Sequence, residues 1–109
     1  MTARLFMEVR LKVYTYSRVA TPEDDRIAFQ EKNLDSFCSK KGFEVLAAFT
    51  DVSPDHQLER PGLSAMFEVL SEVEAVVVTS IDRITRSPEH FEQIKAQFRK
   101  HDVKLLAIL

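Results

Sequence analysis

Glu74-Ala75-Val76-Val77-Val78-Thr79-Ser80-Ile81, running into Asp82-Arg83-Ile84-Thr85-Arg86-Ser87-Pro88-Glu89, decides the fold class of this 109-residue chain. The valines are β-branched and uncharged, so residues 74–81 read as a strand buried on both faces, at a central position of a sheet. Ser87-Pro88-Glu89 reads as a helix start. Serine can cap, proline suits the first helical position, and a carboxylate favours the positive end of the helix dipole. Phe91, Ile94 and Phe98 follow at helical spacing and are predicted to face inward. Val103 to Leu109 reads as another strand.

The same alternation extends upstream. Val13 to Arg18 is rich in β-branched and aromatic residues and predicts a strand. Before it, Leu5, Met7, Val9 and Leu11 share the parity of Val13, so residues 1–12 read as an N-terminal extension carrying an extra strand or lengthening the first. Thr21-Pro22-Glu23-Asp24 predicts a helix capped by Thr21, with Ile27, Gln30, Leu34, Phe37 and Cys38 at helical spacing. Lys40, Lys41 and Gly42 close it with cations and a C′ glycine. Phe43 to Phe49 predicts a buried parallel strand. Asp51 to Glu59 is polar, contains Pro54, and predicts an exposed loop. Arg60-Pro61-Gly62 opens a further helix with Leu63, Met66, Phe67 and Leu70 on one face.

Strand and helix alternate throughout, which predicts an α/β fold: a single domain with a mostly parallel central sheet of about four or five strands flanked by helices. Chemistry in such folds gathers at the carboxyl ends of the strands. Arg18 to Thr21, Asp51 to Arg60 and Asp82 to Arg86 all lie there.

Composition narrows the function. Apolar residues at 45% and charged residues at 29% describe a globular chain, and its length suits one domain rather than two. No apolar run approaches a membrane span. The single cysteine, Cys38, cannot form an intrachain disulfide, which fits a reducing cytoplasm. Cys38 is read as a buried core thiol. His56, His90 and His101 lack metal-ligand spacing, so neither a metal nor a cofactor is expected. The net charge of −2 is unlike a domain that grips DNA through a general basic excess. A nucleic-acid role therefore calls for a local arginine cluster, or for a partner or attached domain.

Such a cluster exists. Arg83 and Arg86 lie three residues apart with Asp82 beside the first, Arg18 ends the first strand, and Arg60 stands at a loop-to-helix junction. Arginine forks suit a phosphodiester, binding it bidentately and stabilising charge that develops on it. For Arg60 an alternative stays open, a surface ion pair with Glu59 or Asp55. Tyr16 is read either as a phosphate contact or as packing beside the sheet.

Three blocks now carry a resemblance. Tyr16-Ser17-Arg18-Val19-Ala20-Thr21 resembles the Tyr-x-Arg-Val-Ser-Thr opening of the serine recombinases, the resolvase/invertase family. Phe49-Thr50-Asp51 followed by Glu59-Arg60-Pro61-Gly62-Leu63 is similar to the family's second block, and Ile81-Asp82-Arg83-Ile84-Thr85-Arg86-Ser87 to its Leu-Asp-Arg-Leu-x-Arg block. The resemblance covers residues 13–109 and implies a resolvase-like catalytic domain. It implies metal-free cleavage and rejoining of DNA through a phosphoserine link. It also implies that Arg18, Arg60, Arg83 and Arg86 hold the phosphate, that Ser53 and Gln30 join them in binding it, and that Asp82 orients an arginine or assists proton transfer. Ala20 occupies the position of the nucleophilic serine.

The chain departs from the family pattern after Asp51, where Val52-Ser53-Pro54-Asp55 replaces the usual Ser-Gly. The long oligomerising helix and DNA-reading helix-turn-helix domain of typical members are not found, so the domain reads as C-terminally incomplete. DNA would then be reached through that absent domain or a partner protein, and a homodimer or tetramer is expected. Ser17 and Thr21 are poor substitutes for the nucleophile. Serine points to the opposite face of its strand, and threonine is better placed as a helix cap. Two further readings stay open beside a recombinase domain without its nucleophile. One is a non-catalytic oligomerisation or regulatory module that assembles with itself or with an active recombinase. The other is an unrelated protein that binds a nucleotide or other oxyanion.

Overall fold

A computed structural model describes residues 10–22, 25–54 and 60–108. Its elements are β1 (Lys12–Val19), α1 (Arg26–Lys41), β2 (Glu44–Val52), α2 (Pro61–Glu68), a 3-10 turn (Leu70–Glu72), β3 (Ala75–Val78), a second 3-10 turn (Ile81–Arg83), α3 (Pro88–Lys100) and β4 (Lys104–Ala107). Four strands form one sheet in the order β2-β1-β3-β4, and every pairing is parallel. The α/β reading thus holds, with four strands among the described residues.

The first crossover moves the chain outward from β1 to β2, and the later ones carry it back past β1 to β3 and β4. With right-handed crossovers, this reversal puts α1 on one face of the sheet and α2 and α3 on the other. Two cores result. Leu34 and Cys38 of α1 pack on Val13, Ala75 and Val77. Leu63, Met66, Ile94 and Phe98 pack with Tyr14, Tyr16, Val76 and Val78. Alternate residues of β1 and β3 therefore serve opposite layers, and both strands are buried on both faces.

Several boundaries differ from those the sequence predicts. β2 is an edge strand rather than a buried one: Val45, Leu46 and Val52 are exposed, while Ala47 and Phe49 pack into the α2 side. A continuous apolar run does not distinguish an edge strand with one covered face from a central one. α1 begins at Arg26, after Asp25 rather than Thr21, and Asp25 makes no side-chain cap bond. The chain leaving β1 must first climb from the sheet to the overlying layer. Its other end behaves as predicted, with Gly42 left-handed at φ 73°. β3 stops at Val78, because residues 81–83 turn into a 3-10 helix. Asp51 and Val52 belong to β2 rather than to a loop, and residues 55–59 lie outside the described residues. Phe91 is only half-buried. Of the N-terminal extension, residues 1–9 lie outside the described residues. Lys12 already belongs to β1, and the Arg10 guanidinium donates to the Gly42 and Phe43 carbonyls at the end of α1.

The β1–β2 register skips one residue. Val13 faces Val45, but Tyr14 faces Ala47, which leaves Leu46 bulged. A one-residue shift exchanges the faces. Beyond the bulge, Ala47, Phe49 and Asp51 share a face with Tyr14, Tyr16 and Arg18.

Leu34 is fully buried where α1 meets the sheet. Leu34→Ala is expected to cost about 2–5 kcal/mol, read in urea unfolding as a lower midpoint with an unchanged slope.

Candidate functional site

The carboxyl ends of β1 and β3 are neighbours across the point where the chain reverses direction along the sheet, the usual place for a ligand crevice. The segments after β1, β2 and β3 converge there. Arg18, the penultimate residue of β1, is 4% exposed. Its Nη1 donates to the Ser53 carbonyl at 2.7 Å, its Nε to the Arg83 carbonyl at 2.9 Å, and its Nη2 to the Asp82 carbonyl at 3.1 Å. One guanidinium thus ties together the ends of three strands. Gln30 of α1 holds the backbone of the same residue. Its Oε1 accepts the Arg18 amide at 3.2 Å, and its Nε2 donates to the Arg18 carbonyl at 2.9 Å. A side-chain amide can replace a strand neighbour in this way because it offers one donor and one acceptor. Ala20 follows, exposed, just past the end of β1.

Arg60 is fully buried, which excludes the surface ion pair. Its Nη2 donates to the Ile84 carbonyl, and its guanidinium lies 5.8 Å from the centre of the Tyr16 ring, within cation–π range. Its Nε and Nη1 have no hydrogen-bond partner among the described residues. Tyr16 is packed beside the sheet and donates its hydroxyl to Asp51 Oδ2 at 2.7 Å. Burial is the main cause of the upward shift of its phenol pKa, and the nearby Arg60 charge partly opposes it.

Asp51 is the buried carboxylate beside these residues that the sequence-based site leaves out. It caps α2 from the adjoining strand: Oδ1 accepts the Gly62 amide at 2.7 Å, and Oδ2 accepts the Leu63 amide at 2.8 Å. These are first-turn donors that lack helical partners, and a carboxylate there also gains from the dipole. One signal was present in the sequence. Arg60 stands where Ser, Thr, Asp or Asn would normally cap, which implies a cap from elsewhere. Gly62 is dictated by the same contact, since a Cβ there would lie 2.3 Å from the Thr50 carbonyl and 2.9 Å from Asp51 Oδ2.

The remaining charges lie nearer the surface. Asp82 and Arg83 are half-buried. The Arg86 side chain is 69% exposed and lies 3.4 Å from Asp82 Oδ2. Ser80 donates its hydroxyl to Asp82 Oδ1. This bond is the main reason the Asp82 pKa falls below its usual value. Arg83 and Arg86 lower it further, and partial burial opposes them. Its ionised form therefore stabilises the fold above the ordinary aspartate range, and this contribution is lost as the pH falls through the depressed value. Ser53 is buried, with its amide on the Val19 carbonyl at 2.8 Å. Ser17 is buried and Thr21 exposed. Among the described residues, no group of three or more His, Cys, Asp and Glu could hold a metal. A groove of about 380 Å³ between α1 and the end of β4, lined by Asn33, Phe37, Lys40, Thr79 and Ile108 among others, shares none of the site's charged groups.

Two outcomes follow. Gly62→Ala is expected to destabilise by about 1–3 kcal/mol through overpacking, where an unobstructed helical glycine would gain from the change. A chemical-denaturation midpoint no lower than that of the parent would contradict the contact. In a carboxyl NMR titration, Asp82 should titrate below a free aspartate, and Ser80→Ala should raise its midpoint. An unmoved midpoint would remove the serine from the account.

Comparison with known proteins bears on the family and the fold. Residues 13–108 match the family described as "Resolvase, N terminal domain". The chain is 28% identical over 96 residues to the Transposon Tn917 resolvase of Enterococcus faecalis, covering 88% of this chain and 48% of that protein. It is 31% identical over 93 residues to a DNA-invertase of Enterobacteria phage P7, covering 85% and 46% respectively. The chain thus spans about half the length of these relatives. Among solved structures, the C-terminal catalytic domain of ISC1926 TnpA, an IS607-like serine recombinase, superposes with a TM-score of 0.85 at 25% identity, covering 91% of this chain and 68% of that one. The N-terminal catalytic domain of TP901-1 integrase gives 0.79 at 26% identity, covering 89% and 77%. No helix among the described residues is long and apolar enough to cross a membrane. With its parallel sheet, its arginine-rich crevice and a match over nearly its whole length, the chain belongs to the resolvase N-terminal domain family.

Proposed function

We propose that this domain is the phosphodiester-handling unit of a serine site-specific recombinase of the resolvase/invertase type, and that it does not turn over because Ala20 stands where the nucleophile belongs. Arg18, Arg60, Asp82, Arg83 and Arg86 are the residues assigned to the phosphate. Supporting this is their convergence at the carboxyl ends of the strands, with Arg86 exposed, Arg83 half-buried with its Nη1 3.5 Å from the Arg18 carbonyl, and Arg18 and Arg60 buried. In the family's reaction a serine oxygen attacks phosphorus, the phosphoserine bond forms on the 5′ side, and the 3′ oxygen leaves with a proton. The arginines stabilise the charge that gathers on the phosphoryl oxygens. Asp82, held ionised, fixes the arginine next to it. Gln30 and Ser53 serve as scaffold for Arg18 rather than as phosphate ligands, since both are buried and bonded to it.

One observation carries the proposed loss of turnover: residue 20 is exposed two positions after Arg18, and its methyl side chain has no hydroxyl. Cleavage depends on placing a nucleophile to within a fraction of the reach of a hydrogen bond, and neither buried Ser17 nor exposed Thr21 occupies that position. DNA is the proposed substrate, reached through an attached domain or a partner protein. Homo-oligomerisation and a cytoplasmic setting accompany the reading.

A second reading, non-catalytic assembly with itself or with an active recombinase, draws on exposed apolar side chains. Phe29 is 66% and Val52 52% exposed. One experiment separates the two. Ala20→Ser, in the chain fused to a sequence-specific DNA-binding domain, is expected to leave protein covalently attached to supercoiled DNA, with none from the unsubstituted fusion. If the substituted fusion forms no adduct under any condition, the nucleophile is not the only missing part, and assembly becomes the better account.

A further inference from the structure

We infer that α1 carries a self-complementary seam through which two copies of this chain pair, the helices running antiparallel and Phe29 of each copy seated in a groove of the other. The inference rests on the self-assembly reading above, for which it names the surface. It makes no use of the phosphodiester site, since none of the seam residues belongs to that site.

α1 buries Gln30, Leu34 and Cys38 against the sheet. Phe29, Asn33, Ser36 and Lys40 follow one another at steps of four, three and four, so they share a second flank of the helix beside that buried row. All four are exposed. Phe29, at 66%, is the most exposed of the large apolar side chains among the described residues. Covering an aromatic ring is among the largest gains that one side chain brings to an interface.

The seat for the ring lies on the same flank. Asn33, Ser36, Phe37 and Lys40, with Thr79 and Ile108, line a groove of about 380 Å³. The four helical residues stand at i, i+3, i+4 and i+7, the diamond that receives a knob when helices pack. Ser36 is the small member that leaves the diamond open, and Phe37 gives it an apolar wall. A knob and a hole on one flank of one helix can both be satisfied by an identical copy related by a twofold axis.

Charge sets the direction. Lys40 and Lys41 end α1, and a parallel pair would put these cations beside their own copies. An antiparallel pair puts Lys40 opposite Phe29 and Asn33 opposite Ser36 in both halves of the dimer. Each half then gains an ammonium over a ring and an amide-to-hydroxyl hydrogen bond. The chain already makes such ring contacts, with Lys41 Nζ 5.7 Å from the centre of the Phe37 ring and Lys95 Nζ 4.9 Å from that of Phe91. From Phe29 to Lys40 the seam runs about 16 Å at the helical rise, so the contact is small and the dimer reversible.

Sedimentation equilibrium of the unsubstituted chain over a concentration series should show a reversible monomer–dimer equilibrium. Phe29→Ala should raise the dissociation constant about tenfold or more. Ser36→Leu is the stricter variant. It makes the flank more apolar but fills the seat, so it should weaken the dimer as well, whereas a merely adhesive surface would bind more tightly. Both positions are exposed, so urea midpoints matching the parent's separate loss of pairing from loss of fold. Direction is read by oxidative cross-linking. A mixture of Asn33→Cys and Ser36→Cys should give a disulfide-linked dimer, and neither variant alone should. A chain that stays monomeric at every concentration would overturn the inference. So would a dimer that Ser36→Leu tightens, one that neither substitution affects, or cross-linking by each cysteine variant alone. DNA attachment by the Ala20→Ser fusion tests the phosphodiester reading separately, because the seam variants leave residue 20 and the arginines untouched.

Discussion

The carboxylate of Asp51 is the contact on which the site's geometry depends. It lies at the end of β2, accepts the first free amides of α2, and accepts the Tyr16 hydroxyl from β1. A buried carboxylate is costly unless it is fully hydrogen-bonded. Three donors and the positive end of a helix meet that requirement. In doing so they set where α2 begins, and with it the position of Arg60 immediately before Pro61. Tyr16 lies between the two charges, with its ring against the guanidinium and its hydroxyl on the carboxylate. From Arg60 the connection passes to the Ile84 carbonyl, and so to the turn that carries Asp82, Arg83 and Arg86.

This arrangement requires Asp51 to share a face with Tyr16, and the bulge at Leu46 makes it do so. In unbroken register with the Val13–Val45 pair, Asp51 would face α1, far from the amides it caps. A single skipped residue near the start of an edge strand thus decides the electrostatics at its far end. The residue left out of register, Leu46, is exposed, as an edge allows and a central strand would not.

The four arginines are similar in sequence but not in environment. Two are buried against backbone carbonyls and two lie at or near the surface. A cluster that binds a polyanion needs charge at the surface and rigidity beneath it, and the same side chain can supply either.

Much of this was legible in the chain itself. Val76-Val77-Val78, the helix starts at Arg60-Pro61 and Ser87-Pro88, and the glycine at position 42 specify the alternation of strand and helix through local propensity, which needs no distant partner. The three arginine-bearing segments were placed at the strand ends for the same reason. Tertiary structure alone decided which strand lies at the edge, where β3 stops, that the first helix starts after Asp25, and that Asp51 is a remote cap. It also decided that Arg18, Arg60 and Gln30 face inward. These depend on strand order and on a one-residue register shift, which are set by contacts between residues far apart in the chain. A residue's type gives its charge and its hydrogen-bonding capacity. Whether an arginine spends its fork on a carbonyl or offers it to solvent depends on what the rest of the fold brings within reach.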